Sequence, residues 1–206
     1  MILKVTLLIA SISHILCGIS DCLLGYSPKG KLDLKEINDA NKMSNMFKDM
    51  PLSYPMISIL LGTFAITAMS FGYFSLSNWM NNFVHIYSVI MFISAILFLI
   101  PIATHHVFFG MIEWIYIRLN RTNEAREAVL EFQKKTIITM FIGYLGLLTF
   151  AVVMFIAIIT GQTNLPRWAC IFNTLPLFII LAPTKLPAKG NIAGAIMFLG
   201  LFFLIF

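Results

Sequence analysis

Two adjacent histidines, His105 and His106, and one carboxylate, Glu113, stand inside the otherwise apolar stretch from Ile100 to Trp114. A second acid, Asp21, and a further histidine, His14, stand in the first apolar run of the chain. Imidazole and carboxylate side chains exchange protons near neutral pH and ligate divalent cations such as zinc. Ionisable groups at membrane depth are costly, and they mark functional sites more often than accidents. On a helix His14, Gly18 and Asp21 share one face, as do His106, Gly110 and Glu113, each set spaced i, i+4, i+7. His106 and Glu113 are nonetheless about 10.5 Å apart along such a helix, too far to close one site. Chemistry therefore needs a pairing across helices, Asp21 with His105 or His106.

Three readings of that pairing stand open. Asp21, His105 and His106 could bind a divalent metal, or act as acid and base on a lipid-borne substrate, with His14 and Glu113 on the substrate side. They could instead carry protons or a cation in a small transporter. They could be a structural hydrogen-bonded pair, with Glu113 lying at the membrane interface near Arg118. No His-Glu-x-x-His spacing, nucleophile elbow, phosphate loop or dinucleotide fingerprint narrows the choice. Cys17, Cys22 and Cys170 show neither disulfide nor zinc spacing and read as small apolar packing residues.

The elements that must position these groups follow from composition. The chain has 206 residues, 59% hydrophobic and 11% charged, against about 25% charged in a soluble domain. At about 20 residues per crossing, its long apolar blocks allow six or seven membrane spans and no separate soluble domain. The expected fold is an all-α integral membrane protein, a single six-helix bundle with spans at about 3–26, 55–77, 83–112, 136–160, 167–183 and 190–206. The first run is too long for a signal peptide and ends in Asp21 and Cys22, so it reads as a retained helix.

Between spans one and two, about 33–50, Asp33 and Glu36 resemble a capping box. Apolar residues then recur at helical spacing with Lys35, Asp39, Lys42 and Lys48 interleaved, which predicts an amphipathic helix at the membrane interface. After span three, about 113–135, Thr122 is a helix cap, with acids early and bases late; this segment predicts a hairpin that projects from the membrane. Span five is short and contains Pro176. Gly190, Gly194 and Gly200 offer close helix approach, and the Gly190/Gly194 face is a candidate for homo-oligomer contact.

With six spans, twelve of the fourteen basic residues fall on one side, leaving Lys4 and Arg167 on the other. The positive-inside bias then puts both termini outside and the basic loops in the cytoplasm. The formal +5 charge follows from those loops, so membrane lipids are the expected partners and nucleic acid is not.

The run from Gly18 through Asp21 to Tyr26, the segment Asp49 to Leu52 leading into span two, and Leu165 to Trp168 before Asn173 resemble a family of uncharacterised bacterial multi-pass membrane proteins. The resemblance implies a bacterial plasma membrane and a role for Asp21, Tyr26, Asp49 and a span-three histidine, with Tyr26 joining His14 and Glu113 as a substrate-binding candidate. A looser likeness is to membrane hydrolases of the alkaline ceramidase group, which implies serine, aspartate and histidine chemistry on a lipid; this chain lacks that group's His-x-x-x-His pair. The expected function is a cytoplasm-facing intramembrane polar site that binds or processes a lipid or small hydrophobic molecule. If it is an enzyme, it is a metal- or acid/base-dependent intramembrane hydrolase. The alternatives are a proton- or ion-coupled transporter and a non-catalytic binding or immunity protein.

Overall fold

A computed structural model describes residues 1–33 and 36–205, and among them the apolar runs fold as helices. In chain order these are α1 (Ile2–Gly25), α2 (Ala40–Met46), α3 (Ser53–Met80), α4 (His85–Arg118), α5 (Asn123–Thr136), α6 (Ile138–Ile159), α7 (Thr174–Leu181) and α8 (Lys189–Leu204). A two-residue antiparallel pair, β1 (Tyr26–Ser27) with β2 (Gly30–Lys31), closes the turn after α1. Four stretches are long and apolar enough to cross a membrane: Ile2–Gly25, Ser53–Met80, His85–Arg118 and Asn123–Ile159. The protein is all-α. Large apolar side chains such as Ile12, Ile15, Phe64, Leu97, Phe141 and Leu145 face outward, a surface suited to hydrocarbon.

Around the bundle α1 packs on α3, α3 on α4, α4 on α6, α6 on α7, α7 on α8, and α8 back on α1. Inside, α1 shows the reverse of soluble amphipathy: Ala10, His14, Cys17 and Ser20 are buried while its isoleucines look out. In lipid, small and polar residues are what helices use to approach and hold one another. The α4–α6 contact is backbone-close, because a Cβ built on Gly146 would sit 2.6 Å from Phe98 N and 2.8 Å from Ser94 O. Tyr73 fills the centre with no exposed surface, its ring 5.2 Å from Phe98 and 5.0 Å from both Phe150 and Phe198.

Pro101 does not interrupt α4, which at 34 residues is about 51 Å long, against about 30 Å for a hydrocarbon layer. Thr122 caps α5 by accepting from Ala125 N, and only Ile137 separates α5 from α6. The segment expected as a projecting hairpin, about 113–135, is the end of α4 with α5.

The segment expected as an amphipathic helix over 33–50 differs. Its helix is short, Ala40–Met46, capped by Asp39 rather than Asp33, with Asp39 accepting from Asn41 N and Lys42 N; Leu34 and Lys35 lie outside the described residues. The reason is upstream competition for the backbone. Arg126 donates to the carbonyls of Ile37 and Asn38, and the Asp39 carboxylate takes the Asn41 and Lys42 N–H groups that those carbonyls would meet in a longer helix. Arg121 likewise donates to Phe47 O at 3.0 Å and Lys48 O at 2.9 Å. The apolar face of the segment, Met43, Phe47 and Met50, is buried against Ile112, Tyr116, Ile117, Ala125 and Val129. Protein, not lipid, covers it.

The fifth expected span, 167–183, is not one helix. Arg167–Ile171 is a 3-10 turn and α7 begins afresh at Thr174, with Pro176 in its first turn, where no backbone N–H is needed. Buried Asn173 bridges the break, accepting from Leu175 N at 2.9 Å and donating to Ala151 O at 3.0 Å. Buried irregular backbone survives only where such partners are supplied. The sixth segment is the sixteen-residue α8; Phe206, its expected end, lies outside the described residues.

Candidate functional site

At the end of the bundle where α1 finishes and α3 and α8 begin, polar side chains from four helices meet. Asp21 Oδ1 lies 3.4 Å from His106 Nδ1, and Asp21 Oδ2 accepts from Asn191 Nδ2 at 2.7 Å. The other side of the His106 ring faces α3, with Nε2 3.0 Å from Ser58 O and 3.2 Å from Ser58 Oγ. Ser58 Oγ donates to Ser20 O at 2.8 Å, and Ser20 Oγ donates to Cys17 O at 2.9 Å. Both hydroxyls thus spend their protons on carbonyls. Acceptors face both nitrogens of His106, so this ring can hold or hand over a proton at either end.

The directions of the remaining bonds follow from what each group can donate. A carboxylate only accepts, so Asn191 must present its NH₂ to Asp21 and its carbonyl oxygen to His14. His14 then donates from Nδ1, at 2.9 Å. Its Nε2 is left to accept from Tyr73 OH, at 3.2 Å. One directed path runs Tyr73 to His14 to Asn191 to Asp21, and His106 meets Asp21 from the other side. His106, Ser58, Ser20, His14 and Tyr73 are buried, whereas the Asp21 side chain keeps 39% of its surface exposed.

Two glycines make the rings fit. A Cβ built on Gly62 would overlap the His106 ring, and one on Gly194 would come within 2.6 Å of both His14 nitrogens. Gly194, expected to serve contact between copies, is used inside the chain; Gly190 has open space around it.

The sequence-derived candidates divide. Asp21 and His106 come together, and His14 joins them through Asn191. His105 does not: consecutive helical residues point about 100° apart, and its Nδ1 meets Thr139 Oγ1 on α6 at 3.2 Å. The expected metal set of Asp21, His105 and His106 is therefore not assembled, and among the described residues no three of His, Cys, Asp and Glu converge on a point. Tyr26 sits half-buried in the small β-turn, away from the network. Asp49 pairs at the surface with Lys29, at 3.5 Å. Glu113 is buried two turns beyond His106, beside Ile112 and Phe47 and away from the Asp21 network.

Asn191, Ser58 and Tyr73 are participants that the sequence did not single out. For Asn191 a signal existed: it is a lone amide in an apolar helix, on the same face as Gly194. Ser58 shares a face with Gly62 in the same way. Comparison with curated proteins and with solved structures returns no match. One family model does match, over residues 1–205. The chain belongs to that family, DUF6796, a family of unknown function.

Proposed function

We propose that this is a six-span membrane protein whose Asp21–His106 pair forms a cytoplasm-facing polar site that binds or processes a lipid or small hydrophobic molecule. The observation that carries the reading is the asymmetry of the pair: Asp21 is partly open while His106, 3.4 Å behind it, is buried among acceptors. A polar head reaching Asp21 from the bilayer or the cytoplasmic surface meets an acid–base couple already oriented for it. His106 takes or returns the proton, and Asn191 and His14 hold the carboxylate in place. Ser58 Oγ, 3.2 Å from His106 Nε2, is the hydroxyl such a base would activate once it released Ser20 O. The alternative, a proton-coupled transporter, has the connected path to Tyr73 in its favour. An amide at Asn191 breaks that path as a proton wire, because it donates one way without passing its proton on.

Extraction of protein purified in mild detergent, followed by mass spectrometry, is expected to find a hydrophobic molecule at about one per chain. A protein that carries no such molecule, and gains none from total membrane lipid, contradicts the reading.

The proposed topology puts both termini outside and the basic loops in the cytoplasm, with residues 167–181 crossing as a broken segment. In a background without the native cysteines, Lys31→Cys, Glu124→Cys and Lys185→Cys are expected to be shielded from an impermeant thiol reagent in intact cells, and Asn78→Cys to be labelled. Labelling of Glu124→Cys from outside overturns this orientation.

A further inference from the structure

Glu113 occupies the same face of α4 as His106, two turns on, yet takes no part in the Asp21 network. It is 1% exposed, and neither carboxylate oxygen has a hydrogen-bond partner among the described residues. Buried carboxylates are ordinarily met by an N–H, an O–H or a cation, since an unpaired charge away from water is strongly disfavoured. This one lines a partly open cavity of about 20 Å³ between α4, α5 and the α2 segment, room for one water-sized group. Its walls include Met43, Met46, Phe47, Phe109 and Leu130, and the one other polar side chain on them is Gln133.

A divalent ion requires about six oxygen ligands, which one carboxylate and one amide do not supply. A neutral hydroxyl or amide would hydrogen-bond the carboxylate but leave its charge uncompensated. A lone buried carboxyl group within apolar, aromatic and thioether walls suits an ammonium group that carries hydrocarbon: the ammonium would hold the carboxyl ionised, and phenyl faces attract cations. Methionines adapt to chains of varied shape.

We propose that the Glu113 cavity binds the ammonium head of an amphiphilic amine, with the hydrocarbon following the partly buried Met46 outward. The cavity as it stands takes the head alone. Phe47 is packed edge-on against Tyr116, whereas Met46 is only partly buried, so the Met46 side chain is the one that yields to the tail.

The test uses the full chain in lipid nanodiscs, titrated with n-octylammonium and, as a neutral control, n-octanol. The wild-type protein is expected to bind n-octylammonium about tenfold or more tighter than Glu113→Gln does, and n-octanol equally in both. Equal n-octylammonium affinity in Glu113→Gln overturns the proposal, as does wild-type affinity for n-octanol matching that for n-octylammonium. Infrared spectroscopy of the wild-type protein gives a readout independent of the variant's folding. Saturation with n-octylammonium is expected to leave the Glu113 carboxylate band and no carboxylic-acid band. A persistent acid band means that the cavity holds a protonated acid beside water, and the proposal fails.

Discussion

Gly62→Ala is expected to lower the unfolding temperature and, at the same time, to empty the proposed site. The added methyl group would lie in the His106 ring, and His106 cannot retreat without leaving Asp21 or Ser58. Overpacking of this kind costs about 1–3 kcal/mol, set against a gain of up to about 1 kcal/mol that alanine brings to a helix. The two effects separate in a control. Gly190→Ala meets nothing within 4 Å and keeps only the propensity gain, so it is expected to be neutral or slightly stabilising. Gly194→Ala crowds His14 instead, and is expected to cost stability with a smaller loss of bound ligand. Thermal unfolding in one detergent, with ligand extraction alongside, checks all three; a Gly62→Ala protein with wild-type ligand content contradicts the prediction.

Asp21→Asn is expected to reduce bound ligand about tenfold or more while insertion stays intact. The amide keeps shape and hydrogen-bonding capacity, so one neighbour is still met; what goes is the negative charge that His106 faces. Because the Asp21 side chain is 39% exposed, water screens part of the pair and the stability cost is held to about 1 kcal/mol. Asp49→Asn, at an exposed surface pair with Lys29, removes an equal charge and is expected to leave ligand content unchanged. Equal ligand in Asp21→Asn and wild type would reduce the network to a structural device.

How far the sequence foretold this depends on the kind of information needed. The polar stripe of His14, Gly18 and Asp21 was legible because helical spacing alone puts three such residues on one face, and apolar isoleucines fill the other. The Thr122 cap of α5 was legible for the same local reason. Which histidine meets Asp21 was not: His105 and His106 differ by one step of a helix, and only the rotation of α4 against α1 and α3 decides between them. Asn191 lies 170 residues from Asp21 in the chain, so its role depends on the ring of helices closing. The late start of the predicted amphipathic helix was hidden likewise, since Arg126 holds the Ile37 and Asn38 carbonyls from 88 or more residues away.

The claim on which the account rests is that Asp21 and His106 act as one unit. A double-mutant cycle with Asp21→Asn, His106→Gln and the combined variant, read as affinity for the molecule extracted from the wild-type protein, measures that coupling directly. Residues in contact within one network show interaction energies of about 0.5–3 kcal/mol, and independent sites add. The account predicts that the second substitution costs almost nothing once the first is present, a coupling of about 1 kcal/mol or more. Losses that simply add would contradict it.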